Sequence, residues 1–166
     1  MTENTKSTLS FTDINEVRPL IVDLFESLWG SDEMILSSGV YNINKLDGLV
    51  AHEGDDIVGI VTYEIKPDLV EIVSLNSFSD ETGIGTSLLD QVKLIAKDHH
   101  LDTIHIITTN DNVQAQQLYE YLGFSAIDVI EGAVDEARKI KPDIPIIADN
   151  ALEIHDEILY ELKLNQ

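Results

Sequence analysis

The sequence predicts an α/β fold built on a mixed sheet, from three observations. Runs of β-branched and apolar residues separated by turn residues fill positions 49–75, apolar residues at three-to-four spacing follow Gly83 and Asn112, and a short β-rich run follows each of these helical stretches. Antiparallel hairpins followed by helix, strand, helix and strand give a sheet with both pairing senses and helices packed against it. With 166 residues, 43% apolar and 25% charged, the chain suits one domain over residues 1–166 whose core needs neither disulfide nor metal.

Residues 13–29 carry Ile14, Val17, Ile21, Leu24, Phe25 and Leu28 at helical spacing, with Asp13 as N-cap. Pro19 lacks an amide donor, so it either kinks this helix or opens a second piece of it. Residues 31–47, with Gly39, several serines, Asn42 and Asn44, read as a loop with a short helix at most. Residues 49–53 and 57–65 form a hairpin about the Gly54-Asp55-Asp56 turn, and 69–75 add a third strand after Lys66-Pro67-Asp68. Residues 83–100 place Ile84, Leu88, Leu89, Val92, Ile95 and Ala96 on one helical face, and 103–109 (TIHIITT) suit a buried central strand. Residues 112–122 are helical, closed by Gly123. A strand over 125–131, a short helix over 132–140, a loop framed by Pro142 and Pro145, and a last strand over 157–164 complete the chain.

Composition removes several classes of function. The net charge of −21, from 31 acidic and 10 basic residues, argues against a nucleic-acid partner, because phosphate backbones are held by clustered Lys and Arg. The acidity reads either as attraction for a cationic amine or as a solubilising surface. The absence of cysteine rules out a thiolate metal site and a cysteine nucleophile, and suits a reducing cytosol. The opening MTENTKSTLSF has no basic flank or apolar run of a secretory signal, and no apolar stretch reaches membrane-spanning length. A cytoplasmic protein without a membrane partner is therefore expected. No metal is expected either, since no His, Asp and Glu set has ligand spacing.

Two motifs carry chemistry. The first runs from the strand Val70 to Leu75 into Thr82-Gly83-Ile84-Gly85-Thr86 at a helix start. The glycines let backbone approach a phosphate, and the helix start offers unpaired amides and a positive end; a glycine pair also makes an ordinary turn. A dinucleotide fingerprint is disfavoured, because Leu88 stands where it wants its third glycine. The second motif is Asn112-Val113-Gln114-Ala115-Gln116-Gln117-Leu118-Tyr119-Glu120-Tyr121-Leu122-Gly123-Phe124. Asn112 and Tyr119 lie seven residues apart, so a continuous helix projects them from nearly one face, with small Ala115 between them.

On these two motifs the sequence resembles the GNAT superfamily of acetyltransferases over residues 48–131. Leu28-Trp29-Gly30, residues 132–138 and Asp156-Glu157-Ile158 look like a bacterial subgroup of mostly unassigned substrate. The resemblance implies the GNAT fold: a mostly antiparallel sheet of about six to seven strands, with a splayed strand pair holding acetyl-CoA as co-substrate. It implies that Val73 and Leu75 lend backbone groups to the pantetheine arm and that Thr82, Gly83, Ile84, Gly85 and Thr86 hold the pyrophosphate. Asn112 would bond the pantetheine, and Tyr119 would protonate the departing thiolate.

The acceptor would be a small-molecule or peptide amine, walled by residues 31–47 and 131–150 with Glu33, Asp47, Glu131, Asp135 and Glu136. Homodimers are common in the family. One departure stands out: Asp80, followed by Glu81, occupies the place where the family's loop opens with Gln or Arg, and their charge opposes a polyphosphate.

For the base, Glu71 on the strand before the glycine loop is the candidate, against the reading of a solvated strand charge; His52, His105 and His155 are further candidates. A non-catalytic module that binds acetyl-CoA is the alternative function, and a nucleotide-dependent enzyme a third.

Overall fold

A computed structural model describes residues 9–78 and 83–164. Its elements in chain order are β1 (Leu9–Asp13), α1 (Arg18–Trp29), β2 (Glu33–Leu36), β3 (Gly39–Asn42), β4 (Asp47–Glu53), β5 (Asp56–Ile65) and β6 (Val70–Ser77). They continue with α2 (Ile84–Asp98), β7 (Thr103–Thr109), α3 (Val113–Tyr121), β8 (Ser125–Ile130), α4 (Ala133–Ile140) and β9 (Glu157–Lys163). Seven strands form one sheet in the order β1-β4-β5-β6-β7-β9-β8, and β2 pairs with β3 in a separate hairpin. Every neighbouring pair in the large sheet is antiparallel except β6 with β7.

Burial explains the sequence pattern of the central strands. Strand β5 is buried without a break from Val58 to Tyr63, because helices cover both faces of the sheet, so it reads as a continuous apolar run rather than an alternating one. On one face α2 sets Ile84, Leu88, Leu89, Val92 and Ala96 against Val61, Tyr63, Ile72, Ile104 and Ile106. On the other face Ile21 and Phe25 of α1 pack with Ile14, Ile43, Val50 and Ile60. Phe25 also stacks on Trp29, with ring centroids 4.7 Å apart, which carries the apolar face of α1 towards the β2–β3 hairpin.

Three expectations change. Asp13 caps a single 3-10 turn over Ile14–Glu16, its carboxylate accepting from the Asn15 amide; the α-helix begins only at Arg18. Pro19 thus lies in the first turn, where its missing amide leaves no bond unmade. Residues 9–13, which carry no strand signal, form β1 by pairing along β4 from Leu9↔Glu53 to Asp13↔Leu49. Residues 31–47 hold the β2–β3 hairpin instead of a loop. Its strands have four residues each, too short to show a period, and packing of Trp29, Met34 and Leu36 with Tyr41, Leu46 and Val73 specifies it.

Two local irregularities shape the middle of the sheet. The β5–β6 register passes from Tyr63↔Ile72 to Thr62↔Ser74 and leaves Val73 as the extra residue of a β-bulge. The parallel β6–β7 ladder holds three pairs, from Val70↔Ile104 to Ile72↔Ile106, and stops there. Beyond it the two strands share no pairing, so the carboxyl half of β6 borders a cleft.

Gly59 brings α2 close to this region. A Cβ at Gly59 would stand 2.7 Å from Ile84 Cγ2, 3.0 Å from Leu88 Cδ1 and 3.1 Å from the Asn76 carbonyl oxygen. Gly59→Ala is expected to cost about 1–3 kcal/mol by overpacking, read as a lower urea midpoint at unchanged slope. A midpoint equal to that of the parent protein would mean that α2 can move off the sheet without loss.

Candidate active site

Ile84 at the start of α2 and the Asn76 carbonyl of β6 both lie within 3.1 Å of a Cβ placed on Gly59, so the helix start stands near the carboxyl end of β6. Gly83 takes the left-handed conformation at φ 95° as the N-cap of α2, a position that suits glycine because it has no side chain to clash. The first capping-turn bond runs from the Ser87 amide to the Gly83 carbonyl at 2.9 Å. The amides of Ile84, Gly85 and Thr86 precede it and project at the positive end of the helix. Among the described residues, a Cβ on Gly83 or Gly85 would meet no atom within 4 Å. Thr82, and with it Asp80 and Glu81, lies outside the described residues.

Asn112 and Tyr119 flank α3 in different environments. Asn112 is the N-cap, its Oδ1 accepting from the Ala115 amide at 3.1 Å, which leaves its side-chain NH2 to donate outward. Tyr119 is buried in the core on the α2 face. Its ring meets Tyr160 edge-on at 5.6 Å and Phe124 at 6.2 Å. Burial, with a smaller contribution from Tyr160, pushes its phenol up to about 12. The seven-residue spacing therefore sets a surface amide and a buried hydroxyl on one short helix.

Glu71 is 2% exposed, against the reading of a solvated strand charge. Its carboxylate accepts from Ser38 Oγ at 2.6 Å and from Tyr41 OH at 2.7 Å, and pairs with Lys66 Nζ at 2.6 Å. Burial raises the Tyr41 phenol, and the Glu71 carboxylate adds to the rise against the lowering by Ser38. Burial alone would lower Lys66, but hydrogen bonding and attraction to Glu71 prevail and raise it. Three donors, two from the hairpin and one from the β5–β6 turn, thus converge on one buried carboxylate.

A second buried carboxylate, Glu157, was not singled out as a site residue by sequence reasoning. It is 1% exposed and accepts from Ser37 Oγ at 2.6 Å and from the Ser37 amide at 3.1 Å. Ser37 and Ser38 connect β2 to β3, so the hairpin turn lies across the sheet, with Ser38 on Glu71 of β6 and Ser37 on Glu157 of β9. The signal available was a charge at the first position of the strand, directly before the apolar run Ile158-Leu159-Tyr160. Glu157 stands opposite Thr109, the last residue of β7, and both line a pocket of about 230 Å3 beneath the hairpin.

His52, His155 and the expected acidic walls lie apart from this arrangement, whereas His105 stands in register with Glu71 and lines one pocket with Ser37, Ser38 and Lys66. His52 bonds Thr12 at 2.7 Å, His105 pairs with Glu161 at 2.9 Å, and His155 bridges Asp135 and Glu153. Glu33, Asp47, Glu131, Asp135 and Glu136 are all exposed, and none lines the pocket that holds Glu157. Among the described residues no group of His, Asp and Glu has metal-site geometry, and no helix is long and apolar enough to cross a membrane.

Comparison with known proteins meets this geometry from three directions. Two Bacillus subtilis (strain 168) proteins, both uncharacterized, are similar over most of their length. YdhI is 43% identical over 148 residues, 88% of this chain and 92% of that protein; YxbD is 40% identical over 143 residues, 86% and 90%. Among solved structures, the IAA acetyltransferase from Bacillus cereus ATCC 14579 has a TM-score of 0.67 at 19% identity, covering 95% of this chain and 100% of that one. A GNAT family acetyltransferase from Elizabethkingia anophelis with acetyl-CoA bound also has a TM-score of 0.67, at 21% identity, covering 96% and 100%. The model of the acetyltransferase (GNAT) family matches residues 14–124. With that match over well over half of its length, on a sheet whose parallel pair parts after three rungs, the chain belongs to the GNAT acetyltransferase family.

Proposed function

We propose that this protein transfers an acetyl group from acetyl-CoA to a primary amine by direct attack within a ternary complex. The observation that carries the reading is the cleft itself. A bulged strand edge leaves its neighbour opposite a glycine-opened helix start, which offers an elongated ligand backbone partners at one end and amide donors at the other. Acetyl-CoA supplies the activated acetyl group; the chain binds, orients and moves protons. The backbone of Val73 and Leu75 would pair with the pantetheine arm along the freed edge of β6. The amides of Ile84, Gly85 and Thr86, with Gly83 and Thr82, would hold the pyrophosphate. Asn112 would donate its side-chain NH2 to the pantetheine.

Chemistry then requires a neutral amine, a polarised carbonyl and a proton for the leaving sulfur. A backbone amide near Leu75 would polarise the thioester oxygen. The amine nitrogen bonds the carbonyl carbon, the carbon–sulfur bond breaks, Tyr119 gives its proton to the sulfur, and the proton lost by the nitrogen returns through solvent to the phenol. Glu71, its oxygens held by three donors, suits the anchoring of the hairpin better than proton uptake. The competing reading, a module that binds acetyl-CoA without turnover, draws on Asp80 and Glu81, whose charge would oppose tight phosphate binding.

Titration calorimetry with acetyl-CoA is expected to show stoichiometric binding, and absence of heat with every acyl-CoA tried would remove the reading. Tyr119→Phe is expected to lower kcat about 10- to 100-fold, with little change in acetyl-CoA affinity. An unchanged kcat would move the proton donor elsewhere. Because burial raises this phenol from 10.0 to about 12, its contribution to stability is complete below pH 10 and is lost as pH rises through 12. Phenolate absorbance in an alkaline titration should therefore show a late step that Tyr119→Phe diminishes; an equal late step in both proteins would contradict the burial.

A further inference from the structure

We infer that the acceptor is a primary amine carried on a small apolar body, seated in the pocket beneath the β2–β3 hairpin with its ammonium on Glu157. The inference rests on the acetyl-transfer reading and names the substrate class and the base of that same site.

Charge balance is the first argument. Two carboxylates lie buried beneath the hairpin turn, and they are compensated differently. Glu71 has Lys66 at 2.6 Å. Glu157 pairs with no Lys, Arg or His among the described residues and receives its bonds from Ser37 alone. The one cation that lines its pocket, Lys141, donates instead to the carbonyls of Trp29 and Glu33, at 2.9 Å each. A buried carboxylate without a counter-charge is costly, and a ligand ammonium is the counter-charge of matching size and sign.

The walls decide what carries that ammonium. Trp29, Met34, Leu36, Val134, Ala137 and Ile154 surround the space of about 230 Å3, and none of them can solvate a second charge. A polyamine or an aminoglycoside would have to bury further ammonium groups there without partners. A monoamine with a ring or a short branched chain would bury only carbon. The acidic residues expected to wall the acceptor are exposed and do not line this pocket, so the bulk of the net charge of −21 belongs to the solvated surface rather than to this pocket.

Position links the pocket to the reaction. Thr109 ends β7, the strand that bounds the cleft, and Asn112 caps α3 three residues later. An ammonium on Glu157 gives its proton to a carboxylate oxygen and exposes a lone pair. The nitrogen then bonds the acetyl carbon, the carbon–sulfur bond breaks, the sulfur takes a proton from Tyr119, and the second proton lost by the nitrogen passes through solvent to restore the Tyr119 phenol. The products are an amide and the free thiol, with the Glu157 proton returned to solvent.

A thiol-release assay should compare phenethylamine with spermidine at equal concentration, with thermal melts confirming that each variant folds. Phenethylamine is expected to exceed spermidine at least tenfold in kcat/KM, and Glu157→Gln to lower that value at least a hundredfold without shifting acetyl-CoA affinity. Met34→Glu, at a half-buried pocket wall, should narrow or reverse the preference for the monoamine. Faster use of spermidine by the parent protein, or full activity of Glu157→Gln, would overturn the inference. Calorimetric binding of phenethylamine separates the two readings. Binding lost in Glu157→Gln without turnover would uphold the pocket and sink acetyl transfer; turnover of other amines with no phenethylamine binding would do the reverse.

Discussion

A strand that leaves its neighbour must find other partners for its amides and carbonyls, and the structure turns on that constraint at β6. The ladder with β7 ends after Ile72↔Ile106, and the bulge at Val73 tilts the strand just where pairing stops. Backbone groups left without a strand partner are costly if they are also removed from water. On the acetyl-transfer reading, an elongated ligand whose own amides complete the ladder would answer this. The close approach of α2 over Gly59 sets the helix start beside that edge, so strand departure and the unpaired helix-start amides are parts of one local arrangement.

The hairpin β2–β3 is the second consequence. A two-stranded ribbon is marginal by itself in water, and this one is tied to the sheet at its turn by Ser37 and Ser38, each on a buried carboxylate. Apolar packing of Met34 and Leu36 with Tyr41, Leu46 and Val73 holds its body down. Removing one partner of a buried charge pair typically costs about 3–5 kcal/mol. The Lys66–Glu71 pair therefore gives the hairpin a fixed seat, and the second carboxylate is left to face the pocket. The hairpin turn thus touches two glutamates side by side, one neutralised by a lysine and one bonded by Ser37.

Electrostatics divides the molecule in the same way. Most of the 31 acidic side chains have water to screen them, and at physiological ionic strength their fields fade over roughly 8 Å. Glu157 has no such screening. A single unsolvated charge in an apolar pocket discriminates among amines more sharply than a large solvated field, because each additional charge on a ligand must be desolvated without return.

Much of the fold was legible because it rests on local periodicity. The stripe from Ile84 to Ala96, the β-branched run of β7 and the glycine that closes α3 are each specified within one element, and the two motifs of residues 82–86 and 112–124 identified the family. The strand β1 and the hairpin β2–β3 were not legible, since edge pairing and contacts distant in sequence hold them rather than any period of their own. The candidate site divided along the same line. Gly83, Asn112 and Tyr119 stand in a local helical context, so spacing alone placed them on their helices. Glu71 was named as a candidate base without its partners, and Glu157 was passed over, because burial and charge compensation arise only when segments from residues 37–41, 66–71 and 157 meet. The sequence by itself determined the elements and the cofactor motifs, since those follow from propensity and spacing. The tertiary structure alone decided which of two carboxylates is neutralised within the chain, since that depends on which cation the folded chain brings within reach.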